Sequence, residues 1–319
     1  MQPEKIIDRA KAFEASRQKL TGIAYRMTGS HTDAEDVLQD TWLRWQTADL
    51  ANLENPEAYL VTIASRLCLD RLRRRQREKV TYIGHWLPEP LLTEGVNAPA
   101  IEHETDISYA LLVALERLSP SERAAFILHD VFEIEFREIA QSLGKSEAAC
   151  RQLAKRARDN LRTERPRFAV AAEDHEAVAA AFFKASREND VEEIMRYLAD
   201  GADLHSDGGG RKIAALNIIK GASHVARFFA GLARKPGAAP PIWRQAARLN
   251  GLISELTLEA DGTRQATAVE VASGRITTIY LLRNPDKLGR LWAAVHDSDR
   301  NAADPSTALS PDRRRGPAT

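Results

Sequence analysis

Between Phe136 and Leu161 the chain reads as two helices joined by a tight turn, and that pattern limits the possible folds more than any other stretch. Phe136, Ile139, Ala140 and Leu143 fall at helical spacing. Gly144 follows, a residue free to take the left-handed conformation that closes a helix, and Ser146 can cap the next one. In that second helix Ala149, Leu153, Ala157 and Leu161 recur every four residues as the expected buried face, with Arg151, Lys155, Arg158 and Arg162 opposite. Such a helix-turn-helix offers long cationic donors to guanine edges and phosphates in a major groove, and Gln152 suits adenine or the backbone. A solvated basic helix is the plain alternative, because runs of charge usually face water. The preceding helix, the glycine turn and the serine cap together favour DNA.

A second basic helix lies upstream. Asn55-Pro56 starts it, with Asn as N-cap and Pro at the first helical position. Tyr59, Ile63, Leu67 and Leu72 form its expected buried stripe, and Arg66, Arg73 and Arg77 share one flank. Trp42 and Trp45 precede it. Basic groups beside aromatics suit single-stranded DNA, whose bases stack on rings while phosphates pair with Arg. The stripe Val37, Leu38, Thr41, Trp42 and Trp45 fits a protein core equally well, and Trp42 is expected there. Thr32 with Glu35 predicts a capping box at the start of that helix.

The formal net charge of the 319 residues is zero, which taken alone argues against a nucleic-acid binder. The charge is sorted, however. Arg66 to Lys79 holds seven basic and two acidic residues, and Arg151 to Arg167 repeats that count. Acidic residues gather at Asp33–Asp40, Glu102–Asp106 and Glu188–Asp203. A chain with one DNA surface and other duties sorts charge in this way. Cys68 and Cys150 lie within helical patterns and suggest neither a disulfide framework nor a metal site, which fits a reducing cytoplasm. No hydrophobic leader core and no run of about 18 apolar residues is present, so no membrane span is expected.

The expected organisation is a helical domain over 5–80, a linker over 81–105 punctuated by Gly84, Pro88, Pro90, Gly95 and Pro99, and a second helical domain over 106–165. Ser119-Pro120-Ser121-Glu122 is a full capping box inside the latter. From 172 to 297 helices at 174–187, 190–199 and about 222–233 accompany alternating segments. Thr267, Val269 and Val271 form one, Ile276, Thr278, Tyr280 and Leu282 another, with turns at Asp261-Gly262 and Ser273-Gly274. These predict an α+β domain with a curved antiparallel sheet folded over helices. Leu291 to Val295 is expected as the last strand and 298–319 as a disordered tail.

Three segments carry a family resemblance. The run from Asp33 to Trp45 resembles the polymerase-binding segment of sigma domain 2, the run from Ala58 to Arg75 its −10 segment, and Leu115 to Leu161 sigma domain 4. The chain is similar to the extracytoplasmic-function sigma factors, which lack a domain 3. Trp86-Leu87-Pro88-Glu89-Pro90, Asp207-Gly208-Gly209-Gly210 and Asn284-Pro285-Asp286-Lys287-Leu288 match the group with a fused SnoaL-like C-terminal domain. The resemblance implies two all-α sigma domains, the second with the helix-turn-helix, followed by a cone-shaped SnoaL-like domain. It implies that Arg151, Gln152, Lys155, Arg156 and Arg158 read the −35 element. Arg66, Arg73, Arg74 and Arg77 would serve the −10 element. Asp36, Gln39 and Asp40 would contact the clamp helices of the largest polymerase subunit, domain 4 reaching the flap. Arg66 stands where many relatives carry Asn for a flipped base; an Arg there can stack on a base or hydrogen-bond it. The partners implied are core RNA polymerase and promoter DNA, with no membrane and no separate anti-sigma protein. The C-terminal domain would instead contact the linker through Trp86, Leu87 and Pro88 and tune activity in cis.

Read by themselves, Asp207–Gly210 and Asn284–Asp286 are turn signals. The former lacks the Lys-Ser/Thr of a phosphate loop. His205, Asp207, Asp286 and His296 could furnish acid–base groups in a SnoaL-like cavity, but their scatter is not a catalytic pattern, and no catalytic residue, cofactor or metal is expected. Two readings compete: a SnoaL-like small-molecule enzyme anchored to DNA, which an interior packed shut by Trp243, Phe228 or Phe229 would exclude, and a ligand-sensing repressor, which would leave the acidic run at Asp36 idle.

Overall fold

The computed structural model describes residues 8–50, 53–78, 82–93, 108–162, 172–233 and 239–302. Helix α1 (Arg9–Thr28) is closed by Gly29 at φ 65° and α2 (His31–Thr47) begins two residues later. Only Ser30 lies between Gly29 and the first residue of α2. Ser30, in extended backbone, therefore caps α2 by accepting from Asp33 N at 3.1 Å, and Thr32 falls inside the helix instead of capping it. Helix α3 (Pro56–Glu78) starts at its Asn55 cap, which accepts from Ala58 N. Leu20, Ile23, Val37, Trp45, Leu60 and Ala64 are fully buried between the three. Ile63, Leu67 and Leu72 face inward as expected, whereas Tyr59 is 37% exposed. Trp42 is half-buried, edge-on to Phe13.

Helices α4 (Tyr109–Leu115) and α5 (Pro120–Phe126) follow, the latter opened by the reciprocal Ser119–Glu122 capping box. The chain then widens into a π-turn over Ile127–Val131, in which Phe132 N bonds back to Ile127 O. Helix α6 (Phe136–Leu143), Gly144 at φ 61° and α7 (Glu147–Arg162) complete the helix-turn-helix. The buried face of α7 is Cys150, Leu153, Ala154 and Ala157. A strict four-residue repeat drifts off the 3.6-residue period, so Ala149 is only half-buried. Each of the helices α1 to α7 contributes buried side chains to one continuous apolar cluster, with Ala125, Leu153 and Ala154 in a smaller one beside it.

The C-terminal part contains α8 (Ala172–Glu188), α9 (Val191–Tyr197), β1 (Leu198–Asp207), β2 (Ile219–Lys220), α10 (Ala222–Ala233), β3 (Trp243–Leu249), β4 (Leu252–Leu258), β5 (Arg264–Ala272), β6 (Arg275–Leu282) and α11 (Pro285–Ala302). Its sheet runs β2-β1-β6-β5-β4-β3, antiparallel except for the β1–β6 pair. The two faces of β6 go to different cores. Ile279 and Leu281 meet Phe182, Val225 and Phe229 of α8 and α10. Tyr280 and Leu282 meet Leu288, Leu291 and Trp292 of α11, together with linker residue Leu87 and Tyr109 of α4. Leu291–Val295 is thus helix and not a last strand. Leu288, Leu291, Trp292 and Val295 lie at i, i+3, i+4 and i+7, Pro285 opens the helix, and Asn284 accepts from Asp286 N. The helix continues through 298–302, where a tail was expected to begin; 303–319 lie outside the described residues.

The basic faces and the linker junction

Helix α7 presents Arg151, Gln152 and Lys155 outward. Arg151 is 57% exposed, pairs with Glu147 at 2.7 Å and lies 5.4 Å from the Phe136 ring centre. Gln152 and Lys155 are exposed and make no hydrogen bond or ion pair among the described residues. Arg156 and Arg158 are held from the side, by Glu122 at 3.4 Å and by Asp130 at 2.7 Å.

On α3, Arg73, Arg74 and Arg77 are exposed, Arg73 pairing with Asp70. Arg66 is engaged differently. Its guanidinium donates to Ser142 O at 3.1 Å and Gln141 O at 2.9 Å, and Thr62 Oγ1 lies 2.9 Å from Ser142 Oγ. These acceptors are the last carbonyls of α6, which have no partner within their own helix. The second helical domain therefore rests on the helix that was expected to face the −10 strand.

Asp36, Gln39 and Asp40 sit on the outer face of α2. Arg71 of α3 reaches Asp40 at 3.0 Å and Asp36 at 3.9 Å. Gln39 helps line an open groove of about 520 Å³ between α1 and α2, together with Phe13, Leu38, Trp42 and Glu35. Glu35 is gripped by Arg290 of α11 through two contacts, one at 2.6 Å. That pairing holds its carboxyl below the usual range.

The linker 82–93 is bonded on both sides. On the C-terminal side its anchor is Asp207, fully buried at the end of β1. Oδ1 accepts from Tyr82 Oη at 2.6 Å and Gly209 N at 2.9 Å; Oδ2 accepts from Leu87 N at 2.9 Å and Lys287 Nζ at 2.6 Å. Lys287 also donates to Leu87 O and lies 4.0 Å from the Trp86 ring centre, while Arg75 of α3 lies 4.6 Å from that ring. Burial pushes the Lys287 ammonium down to about 8 against the pull of Asp207. Asn284 donates to Tyr82 Oη at 3.1 Å. The glycines make room for this. A Cβ on Gly209 would stand 2.4 Å from Asn284 Nδ2, and one on Gly208 2.1 Å from Lys212 O. Asp286 pairs with Arg211 at 3.3 Å, and Leu288 is core.

On the other side, Glu89 sends its carboxylate to the start of α2. Oε2 accepts from Ser30 Oγ, His31 N and Thr32 N at 3.1, 2.8 and 3.3 Å. A buried anion there satisfies helix donors and meets the positive end of the helix dipole. Pro88 O accepts from Tyr109 Oη at 2.5 Å. Tyr25 of α1 donates to Glu89 O at 2.8 Å and accepts from Asn250 Nδ2 at 2.9 Å, and Asn250 Oδ1 accepts from Leu91 N. Three parts of the chain thus meet on the linker between Tyr82 and Leu91. Tyr25, Tyr82, Glu89 and Asn250 were not among the expected site residues. Their partners lie far away in sequence; Glu89 alone, an acid inside an apolar motif, carried a signal.

Of the proposed acid–base set, Asp207 is spent on the linker, and the His296 side chain lies outside the described ones. His205 is buried against His85 of the linker, Nδ1 to Nε2 at 3.2 Å, and burial pushes it down to about 4, His85 adding to the effect. The interior between helices and sheet is filled by Phe182, Phe183 and Phe229, with Phe182 and Phe229 edge-to-face at 5.4 Å. Trp243 is elsewhere, against Trp292.

Helical domains with a helix-turn-helix in the second, joined by an extended linker and followed by an α+β domain, define a sigma factor of the two-domain type, and the comparisons agree. Residues 12–78 match the Sigma-70 region 2 family and residues 108–161 the Sigma-70 region 4 family. The chain belongs to the extracytoplasmic-function (ECF) RNA polymerase sigma factors. It is 38% identical over 288 residues to the ECF RNA polymerase sigma factor SigJ of Mycobacterium tuberculosis, covering 86% of this chain and 91% of the relative. It is 29% identical over 293 residues to the probable ECF sigma factor SigI of the same organism, covering 89% and 96%. The crystal structure of SigJ superposes with a TM-score of 0.68 at 34% identity, over 88% of this chain and 98% of that one.

Proposed function

We propose that this sigma factor directs core RNA polymerase to promoters through Arg151, Gln152 and Lys155 at −35 and through Arg66, Arg73, Arg74 and Arg77 at −10. Its C-terminal domain governs that activity in cis. The chain performs no covalent chemistry and acts in the cytoplasm without a separate anti-sigma protein. Asp36, Gln39 and Asp40 dock on the clamp helices, whose basic character their acidic face complements, and region 4 meets the flap. Asp207, Lys287 and Asn284 hold Tyr82, Trp86 and Leu87, so the domain grips the tether that decides how far regions 2 and 4 can part.

The observation that carries the regulatory reading is the buried Asp207–Lys287 pair closed on the linker. The phenylalanine-filled interior speaks against a small-molecule enzyme. A plain repressor would leave the α2 acidic face without a task. Run-off transcription with purified core polymerase and a randomised promoter library tests the proposal. A transcript that depends on −35 and −10 sequence, and falls with Gln39→Ala and Asp40→Ala, is the expected result. Transcription from no member of the library, or indifference to both substitutions, overturns it.

A further inference from the structure

The π-turn Ile127–Val131 does more than bend the chain. The extra residue in its loop, together with Glu133 at φ 54°, swings His129 onto Phe136, the first residue of α6. The ring centres are 3.9 Å apart at 33°. His129 Nδ1 lies 3.1 Å from Ile134 O, and because a carbonyl only accepts, Nδ1 carries the proton and the ring is fixed in place. Arg151 lies on the same Phe136 ring at 5.4 Å and is tied to Glu147 at 2.7 Å. A planar guanidinium held by an aromatic ring and by a carboxylate loses little freedom when it meets a base edge. The next residue of the turn, Asp130, holds Arg158, while Glu122 of α5 holds Arg156.

We infer that His129 and Phe136 form a platform that aims Arg151 at a guanine edge, and that Arg156 and Arg158 are struts positioning α7 instead of base readers. This rests on the −35 reading above and deepens it: base discrimination belongs to Arg151, Gln152 and Lys155, at i, i+1 and i+4 on one face. His129 and Phe136 are positioning residues, acting through Arg151.

The test uses full-length chain in holoenzyme with core polymerase, on a promoter set bearing each of the four bases at every −35 position, read by fluorescence anisotropy at several salt concentrations. Wild type is expected to prefer guanine at one position by about tenfold or more. Phe136→Leu and His129→Ala should each shrink that preference to within about threefold, leaving the other positions and the salt slope unchanged, whereas Phe136→Tyr keeps it. Neither should add to Arg151→Ala, because both act through that side chain. Arg156→Ala and Arg158→Ala should weaken all sequences alike. The inference is overturned if both His129→Ala and Phe136→Leu lower affinity equally for every base, or if Arg156→Ala or Arg158→Ala relaxes the preference at a single position. A wild-type holoenzyme indifferent to every −35 base removes the −35 reading itself, and is told apart because it fails before any substitution is made.

Discussion

Asp207→Ala removes the acceptor on which the linker is hung. The carboxylate has no solvent contact and takes four hydrogen bonds, two of them from linker groups Tyr82 Oη and Leu87 N. Its loss leaves the Lys287 ammonium with Leu87 O and the ring faces of Trp86 and Tyr82, and no anion bonded to it. Breaking one side of a buried ion pair costs about 3–5 kcal/mol. Lys287, already down at about 8, can lessen that cost near neutral pH by giving up its proton. The lower end, about 3 kcal/mol, still opens the junction about 100-fold more often. Hydrogen exchange of the Leu87 amide, whose acceptor is Asp207 itself, is not a clean reporter, but that of Leu91, bonded across the same junction to Asn250 Oδ1 of the C-terminal domain, is. It should exchange about 100-fold faster in Asp207→Ala. Asp207→Ala with Lys287→Met should recover much of the protection, since the stranded charge is gone. Protection of Leu91 within about threefold of wild type, or a double substitution no better than the single one, refutes the reasoning.

Three further outcomes are expected. His205 is held near 4 by burial and by His85, with Arg117 and Lys220 also facing it and the Tyr280 ring packed alongside, so the closed junction binds fewer protons than the open one between about pH 4 and 6.5. Docking strengthens as pH rises through that window, is complete above it, and weakens on acidification by up to about 3 kcal/mol; His205→Asn should flatten the pH dependence of Leu91 exchange. Glu89→Gln keeps an acceptor but loses the charge at the start of α2, and should lower stability by about 1 kcal/mol, seen as a fall of about 2–4 °C in Tm. Lys155→Ala should weaken −35 use by about 1–3 kcal/mol and relax base preference at one position, measured by promoter titration at several salt concentrations.

Local chemistry was legible where it acts over a few residues. Ser119-Pro120-Ser121-Glu122 closes its capping box within four positions, and Gly144 turns the chain as its lack of a Cβ permits. Ser30 displaced Thr32 as the cap because Gly29 ended α1 so close by, a geometry no single motif states. Leu291–Val295 looks like a strand when read as five residues. Its helical period appears only when Leu288 and the Asn284-Pro285 start are taken with it. The basic residues of α7 were readable, but which of them are bound sideways was not, because Glu122 and Asp130 come from other elements. Arg66 makes the same point: nothing near it in sequence announces the α6 carbonyls 75 and 76 residues away. The motifs Trp86–Pro90, Asp207–Gly210 and Asn284–Leu288 mark a meeting place that only the fold explains. A carboxylate needs its lysine, the glycines yield room to Asn284, and Glu89 reaches a different domain altogether.

Regions 2 and 4 share one core, and Arg66 of α3 donates to the last carbonyls of α6. Promoter elements about 25 base pairs apart are separated by about 85 Å of duplex at 3.4 Å per pair, a span that regions packed this closely cannot cover. The direct test is the distance between dyes at two exposed positions, Gln46 at the end of α2 and Lys145 in the α6–α7 turn. It should be measured by single-molecule energy transfer in the free full-length chain and again in holoenzyme on promoter DNA. The expected result is high transfer in the free chain and its loss in the complex, with Asp207→Ala shifting the free chain toward the open value. A free chain already open, or a distance that does not change when polymerase and promoter bind, contradicts the account.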